Sequence, residues 1–419
     1  MVFEREAYLK QLVDGSKNDM VKIVTGIRRC GKSYLLFNLF RTYLLENGTD
    51  EQHIIALSLD DRKNRRLLDP DALLDYIDEH NPDDGKTTYV ILDEVQLVED
   101  FVGVMLSLMH MRGVQAYVSG SNSKFLSTDV VTEFRGRGWE IRVRPLSFDE
   151  IYEVKGGDKT ELLQEYYRYG GLPQVVLMDT PEEKEAYLKS LCETIYLRDV
   201  IERNHLRNSD GMRTLLQVLA SAIGANTNAK RIADTFATEL NVKITQPTVV
   251  EYLRHLEDAF IIAEAQRYDV KGRKYIGTQN KYYFEDLGVR NALLNFRQVE
   301  ETHAMENVLY NELKRRRYSV DVGIVDTAKR NSEGRLQRVQ LEVDFVLNKA
   351  SVRVYIQSAL AMPDREKEQQ EQASLLNIND AFKKVIIVGG YHIPHYNENG
   401  VLIMGLFDFL LNDRALETI

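Results

Sequence analysis

Residues 20–33 read M-V-K-I-V-T-G-I-R-R-C-G-K-S and constrain the fold of this chain more than any other stretch. A short β-branched run precedes the glycine, and a helical pattern, Y-L-L-F-N-L-F, follows the serine. Strand, glycine loop and helix in this order are typical of a phosphate-binding loop, where backbone N–H groups and the helix N-terminus face an anion. The candidate nucleotide-binding residues are Gly26, Ile27, Arg28, Arg29, Cys30, Gly31, Lys32, Ser33 and Tyr34.

Four side chains have candidate roles in phosphate chemistry. In such a loop Lys32 would reach the β- and γ-phosphates of ATP, and the Ser33 hydroxyl would ligate Mg²⁺. Downstream, T-T-Y-V-I-L-D-E-V-Q (87–96) has the pattern of a buried strand that ends in Asp93 and Glu94. Asp93 would hold the Mg²⁺ shell, and Glu94 would orient and deprotonate the attacking water. A strand that ends in a solvated acidic turn is the alternative for this segment.

The next candidate strand, Q-A-Y-V-S-G-S-N-S, ends in small polar residues. Ring-type ATPases carry a polar sensor of the γ-phosphate at this strand end. Asn122 is the candidate sensor, and Ser119 and Ser121 are rivals that the sequence does not separate.

Two arginines follow in the stretch E-F-R-G-R-G-W. Arg135 and Arg137 would supply the positive charge of an arginine finger, either within the chain or from a neighbouring subunit of a homo-oligomer. Arginines are also ordinary in exposed turns, so two solvated side chains without a catalytic role are the alternative.

Length and composition limit the number of domains and the class of protein. A chain of 419 residues is too long for one ordinary core, so about two to three domains are expected. The 54 basic and 64 acidic residues give a net charge of −10, which argues against a protein that coats nucleic acid or membranes. Two distant cysteines, no signal-like N-terminus and no membrane-length apolar run predict a cytoplasmic protein without membrane contact.

Five motifs follow one another along the first 176 residues: GIRRCGKS, YVILDEVQ, VSGSNS, FRGRGWEIRVRPLSFDEI and YYRYGGLPQVV. In this order they resemble the bacterial and archaeal predicted AAA+ superfamily ATPases that carry a C-terminal domain of unknown function. The resemblance runs over nearly the whole chain and implies an α/β P-loop NTPase fold that binds ATP. In related switch ATPases the proline of a Gly-x-Pro in the helical lid packs on the adenine, which makes Pro173 a candidate.

Residues 206–285 contain three helix-length amphipathic segments and a hairpin with basic residues at its tip, which together predict a winged helix. DNA is a candidate partner of this module. Its candidate contacts are Gln246, Thr248, Arg254, Lys271, Arg273 and Lys274. Acidic side chains on the same presumed recognition helix would repel phosphate, and they favour a lid-like or protein-docking module. They are Glu251, Glu257 and Asp258.

The last part of the chain has a helix over 304–316 and strand patterns over 318–326, 339–347, 352–358 and 385–390. This order resembles the restriction-endonuclease-like fold that closes this family. A nuclease of that type needs an acid on the helix, an acid on one strand, and Glu or Gln followed two residues later by Lys on the next. Glu306, Asp344 and Gln357 fit, but Ala359 stands at the lysine position. We therefore expect that this domain does not cleave DNA and that its surface serves to bind a protein partner.

The sequence as a whole predicts an α/β protein in four parts. These are an AAA+ ATPase core over 1–155, a helical lid over 156–205, a winged helix over 206–285 and a restriction-endonuclease-like domain over 286–419. The predicted function is ATP hydrolysis with Mg²⁺ that resets the arrangement of these parts. A DNA-processing enzyme with a working nuclease and a scaffold with structurally bound nucleotide are the alternatives.

Overall fold

A computed structural model of the chain describes residues 1–82, 84–120, 136–204, 206, 209–238, 244–297, 299–330 and 335–417. These residues fall into two structural units. The first comprises Met1–Leu146 with the short segments Leu172–Gln174 and Asp258–Phe260. The second comprises Ser147–Gly171, Val175–Glu257 and Ile261–Ile419.

The first unit is built around a parallel sheet of five strands. The strands are β1 (Val21–Thr25), β2 (Ile54–Ser58), β3 (Thr88–Asp93), β4 (Val114–Ser119) and β5 (Gly138–Arg142). They lie in the order β2-β3-β4-β1-β5, and every neighbouring pair is parallel. Strands of such sheets read as continuous apolar runs because both faces are covered. All five residues of β1 are accordingly buried.

Helices surround this sheet and complete its core. They are α1 (Glu6–Gly15), α2 (Lys32–Tyr34), α3 (Arg41–Glu46), α4 (Pro70–His80) and α5 (Phe101–His110). A π-helical segment, Leu35–Phe40, joins α2 to α3, so the predicted helix after the glycine loop is present. Leu73 and Ile77 of α4 and Met105 and Leu108 of α5 pack with the strands in one buried apolar cluster.

The second unit begins with helices whose starts are set by capping residues. Ser147 and Glu150 form a capping box at the first of them, and Thr180 and Glu183 form another at Pro181. The helices from here on are α6 (Phe148–Lys155), α7 (Lys159–Tyr169), α8 (Pro173–Val176), α9 (Pro181–Leu191), α10 (Arg198–Arg203), α11 (Ser209–Ser221), α12 (Ala229–Thr238), α13 (Gln246–Asp258), α14 (Leu287–Leu293), α15 (Glu301–Arg315), α16 (Arg365–Leu376) and α17 (Leu406–Leu410).

A mixed sheet of eight strands forms the body of the second unit. Its strands are β6 (Ile262–Asp269), β7 (Lys274–Phe284), β8 (Ser319–Arg330), β9 (Leu336–Lys349), β10 (Val352–Ala359), β11 (Lys383–Val388), β12 (His395–Tyr396) and β13 (Leu402–Gly405). They lie in the order β12-β13-β11-β10-β9-β8-β6-β7. The four strands predicted near the C-terminus are all present in it.

The hairpin β6–β7 has an unexpected place in this sheet. It follows three helices, α11 to α13, as the winged-helix prediction requires. However, β6 also pairs in parallel with β8, where Arg267 is opposite Val322. The hairpin therefore supplies the last two strands at one end of the eight-stranded sheet. It is therefore not a free wing, and the boundary at residues 285 and 286 stays a prediction.

Across the described part of the chain, no helix is both long enough and apolar enough to cross a membrane.

Candidate active site

The glycine loop between β1 and α2 contains three residues with positive φ angles. Gly26, Arg29 and Gly31 have φ angles of 141°, 67° and 100°, all in the region that favours glycine. Alternation of left- and right-handed residues turns successive N–H groups toward the inside of a loop, where they form an anion-binding nest. The positive φ angles fit a loop of this kind, and phosphate binding by it stays a prediction.

Gly26 holds this loop against the segment that follows β5. A Cβ atom at Gly26 would lie 2.0 Å from the carbonyl oxygen of Val143, so no other residue fits there. The buried Cys30 thiol donates to the same oxygen at 3.4 Å. Cys30 and Ile27 are thus packing residues of the loop, and their side chains are not exposed to a ligand.

Lys32 begins α2 with its ammonium inside the curve of the loop. Its Nζ atom donates to the carbonyl oxygens of Gly26, at 2.9 Å, and Ile27, at 3.2 Å. The next residues, Ser33 and Tyr34, are exposed. A cation, a hydroxyl and a helix N-terminus therefore lie within three consecutive residues at the loop.

Asp93 lies at the same edge of the sheet as the loop. It ends β3, its side chain is buried, and one carboxylate oxygen accepts a hydrogen bond from the Ser119 hydroxyl at the end of β4. Since β4 lies between β3 and β1, this pair stands next to the glycine loop. Ser119 is thus placed beside the predicted acid, while Asn122 and Ser121 lie outside the described residues.

Glu94 follows directly and adopts an uncommon backbone conformation. Its φ of 55° is left-handed, and the Gln96 side-chain amide donates to its carboxylate. A non-glycine residue in this region carries strain, which in proteins concentrates at functional sites. The sharp turn at Glu94 ends β3 and holds the acid at the loop edge of the sheet.

Arg137 lies at the opposite edge. Its carbonyl accepts from the N–H of Val21, and the next residue, Gly138, is opposite Val21 at the start of β1. Thr25 at the far end of β1 is opposite Arg142. Four strand steps separate these levels, which is roughly 13 Å. Within one chain Arg137 is therefore distant from the loop, and Arg135 lies outside the described residues.

Arg142 is a basic residue at the loop edge that sequence reasoning missed. Its guanidinium lies 4.8 Å from the centre of the Phe260 ring, within the first unit. The motif R-G-R-G-W-E-I-R contains three arginines, and their spacing alone does not say which one faces the loop. The parallel pairing of β5 with β1 distinguishes Arg142 from Arg137.

Pro173 lies beside the glycine loop. A Cβ atom at Gly31 would be 3.6 Å from Cγ of Pro173, and Leu172–Gln174 belongs to the first unit. The N–H of Gly171, just before this segment, donates to the Asp286 carboxylate at 2.7 Å. The position is compatible with a contact to bound nucleotide, and the adenine contact itself stays a prediction.

The predicted nuclease residues are not arranged around open space. The Glu306 carboxylate accepts from Lys281 and Tyr283, Asp344 accepts from the N–H of Ser358, and Gln357 accepts from the Ser374 hydroxyl. No group of three or more Asp, Glu, His or Cys side chains among the described residues is arranged to hold a metal ion. Lys281 was not foreseen, although inward-facing Lys281 and Tyr283 alternate in K-Y-Y-F.

The predicted DNA contacts are spread over two elements, and all are exposed except Thr248, which is partly buried. Gln246, Thr248 and Arg254 lie on α13, and Lys271, Arg273 and Lys274 lie at the turn of the hairpin β6–β7. Lys271 donates to the backbone carbonyl of Asp326 at 2.6 Å, which ties the turn to β8. DNA binding by these residues stays a prediction.

Two family models and two relatives match this chain. Residues 18–152 match a family described as an AAA domain, and residues 160–300 match a domain of unknown function (DUF8612). An uncharacterized protein of Haemophilus influenzae is 31% identical over 415 residues, which cover 98% of this chain and 99% of that protein. Uncharacterized protein MJ1544 of Methanocaldococcus jannaschii is 25% identical over 404 residues, or 89% of this chain and 86% of that protein.

Among solved structures, Cdc6p from Pyrobaculum aerophilum covers 70% of this chain and 93% of its own, at 12% identity and a TM-score of 0.28. A score this low describes only a distant likeness.

Proposed function

Since the chain belongs to one family with the Haemophilus influenzae protein and carries an AAA domain of the P-loop AAA+ ATPases, we propose that it hydrolyses ATP. Hydrolysis would require Mg²⁺. We further propose that hydrolysis changes the arrangement of its parts. One observation carries the proposal: the glycine loop, the Asp93–Ser119 pair and the strained Glu94 all lie at one edge of the parallel sheet.

The residues of this edge fit the charges of ATP and Mg²⁺. Lys32 would contact the β- and γ-phosphates, since its ammonium already lies within the loop. The Ser33 hydroxyl and the Asp93 carboxylate are hard oxygen donors of the kind that Mg²⁺ prefers. Mg²⁺, when bound, would neutralise charge on the phosphate oxygens. The proline ring of Pro173 would contact the nucleotide from the side of Gly31.

Glu94 would act as the general base. A water oxygen bonds to the γ-phosphorus, the bond from that phosphorus to the bridging oxygen of ADP breaks, and Glu94 accepts the proton that the water loses. The Gln96 amide donates to the Glu94 carboxylate and would hold its orientation. Asn122, with Ser119 and Ser121 as rivals, would sense the γ-phosphate, and of these Ser119 donates to the Asp93 carboxylate.

A direct experiment compares this proposal with its two alternatives. ATP turnover is measured with Mg²⁺, with EDTA, and with single- or double-stranded DNA at fixed salt, alongside the solution mass with and without nucleotide. We expect turnover that EDTA abolishes and that DNA leaves unchanged. Strong stimulation by DNA would instead support ATP-dependent DNA processing, and tight ATP binding without turnover would support a scaffold.

Arg137 provides a prediction about assembly. Because it lies at the sheet edge opposite its own glycine loop, we propose that it completes the site of a neighbouring copy in a homo-oligomer. The turnover rate per chain is then expected to rise with protein concentration. Mixing Arg137→Ala with Lys32→Ala is expected to restore activity that neither variant has alone, because one mixed interface combines an intact loop with an intact arginine.

The matched control for this experiment is Arg112→Ala. Arg112 is an exposed arginine that precedes β4 at the same edge as Arg137. Its replacement should leave turnover unchanged. A rate per chain that stays flat over a wide concentration range, or an Arg137→Ala variant as active as Arg112→Ala, would exclude the contribution of Arg137 to a neighbour.

A further inference from the structure

Four charged side chains of the second unit lie together, three of them buried and one partly exposed, and we call them the ionic centre. They are Lys281 of β7, Glu306 of α15, and Glu342 and Asp344 of β9. Lys281, Glu306 and Asp344 are only 4%, 7% and 8% exposed. The Lys281 ammonium lies 2.8 Å from Oε1 of Glu306 and 2.7 Å from Oε1 of Glu342. One cation thus contacts two carboxylates directly, beside the buried carboxylate of Asp344.

Each carboxylate of the ionic centre also has a donor that is independent of Lys281. The Tyr283 hydroxyl donates to Oε1 of Glu306 at 2.6 Å, and the Asn226 amide donates to Oε2 of Glu342 at 2.6 Å. The N–H of Ser358 donates to Oδ2 of Asp344 at 2.8 Å. These bonds hold the oxygens in place from outside, so their positions do not depend on the ammonium alone.

The charged groups of the ionic centre shift one another's pKa. Burial lowers the pKa of Lys281, but the carboxylates of Glu306, Asp344 and Glu342 outweigh it and raise that pKa above its usual value. Lys281 therefore stays charged at neutral pH. Burial and the Glu306 charge raise the pKa of Asp344, and Lys281 only partly offsets them. The geometry gives the same imbalance directly, because one ammonium is in contact with two carboxylates, those of Glu306 and Glu342.

We propose that Lys281 is a built-in cation that takes the place a divalent metal ion would occupy between Glu306 and Glu342. In the native chain the ammonium fills this place, and the ionic centre binds no divalent cation. Without it the fixed oxygens become a site for an oxygen-ligated ion such as Ca²⁺. This inference is independent of ATP hydrolysis, since it concerns only residues of the second unit.

Distances support the exchange of one cation for another. Ammonium–carboxylate pairs bond at about 2.7–2.9 Å, and Ca²⁺ binds oxygens at about 2.3–2.6 Å. The two oxygens around Lys281 would therefore need to move inward by only a few tenths of an ångström. An ammonium carries one charge and a calcium ion two, so the exchange would also neutralise more of the surrounding acid.

The test uses the full chain with Lys281→Met, which keeps the length of the side chain but removes its charge. Lys274→Met, an exposed lysine on the same strand, is the matched control. Ca²⁺ binding is measured by calorimetry without ATP, and thermal unfolding is followed with and without millimolar Ca²⁺. Wild type and Lys274→Met should respond alike. Lys281→Met should bind about one further Ca²⁺, and its Tm should rise with Ca²⁺ by roughly 5 °C.

A second variant locates the additional ion. In Lys281→Met combined with Glu306→Gln, one carboxylate and the ammonium are removed together, so the charge of the centre changes less. This variant should fold even where Lys281→Met alone does not, and it should show no Ca²⁺ response beyond that of wild type. A Lys281→Met protein without the further Ca²⁺, or a double variant as unstable as the single one, would overturn the proposal.

DNA provides the functional readout. With Mg²⁺ or Mn²⁺ and ATP, the wild-type protein should leave single- and double-stranded DNA intact, since Lys281 occupies the centre. Metal-dependent cleavage that disappears on Asp344→Ala while ATP turnover persists would show that the native centre does accept a metal ion, and the proposal would then be wrong.

Discussion

A Lys32→Ala variant is expected to bind ATP about 100-fold more weakly than the wild-type protein, or not measurably. The variant loses a charge-assisted contact to the β- and γ-phosphates, and each hydrogen bond to a charged group contributes about 1.5–3 kcal/mol. The free energy of binding is measured by titration with a fluorescent ATP analogue. Lys10→Ala, at an exposed lysine of α1, is the control and should bind normally.

Lys32 also bonds to the carbonyls of Gly26 and Ile27, so the variant must be checked for a damaged loop. Thermal unfolding should show a change of only a few degrees, as expected for two lost hydrogen bonds at about 1 kcal/mol each. An affinity for ATP within a few-fold of wild type, in a normally folded variant, would contradict the proposed nucleotide site.

The second large effect is expected from Glu94→Gln. This variant should bind ATP with normal affinity but hydrolyse it at least about 100-fold more slowly, because the amide does not accept the proton of the attacking water. Binding and single-turnover hydrolysis are measured on the same preparation. Glu99→Gln, an exposed acid five residues along the chain, is the control and should turn over normally.

The contrast between binding and turnover makes this prediction decisive. Glu94 has a left-handed backbone, and its side chain accepts from Gln96, so it also shapes the turn after β3. If ATP binding and turnover were lost to the same extent in Glu94→Gln, the side chain would have a structural role and no role as a base.

The glycine loop was predictable from sequence because its chemistry is local. Eight consecutive residues, Gly26 to Ser33, fix the turn, the cation and the hydroxyl at once. The meeting of Asp93 with Ser119 was only partly predictable, since it requires that β3 and β4 be neighbours. Parallel strands bring their carboxyl ends to one edge, and this rule was sufficient to expect an acid near the loop.

The position of Arg137 could not be read from the same sequence. Its distance from the loop follows from the parallel pairing of β5 with β1 and from the register of Val21 with Gly138. Neither is encoded within the motif that contains the arginine. Lys281 was missed for a related reason, because its carboxylate partners, Glu306 and Glu342, are 25 and 61 residues further along the chain.

The hairpin β6–β7 was predicted from local sequence, but its place in the sheet was not. Alternating residues around a basic turn predicted two strands, and two strands are present. The pattern did not contain the pairing of β6 with β8, which depends on strand edges more than fifty residues apart. Local sequence thus determines the existence of these strands, and long-range contacts decide to which sheet they belong.

The ionic centre also determines which alignment of strands the chain can adopt. Lys281 and Tyr283 are two residues apart on one face of β7, and both donate to Glu306. Since strand side chains alternate, a slip of β7 by one residue would turn both donors to the other face and leave the buried acids without a cation. Misaligned pairing would therefore leave buried carboxylates without their cation, and a few polar side chains add a charge-based penalty to any strand alignment but one.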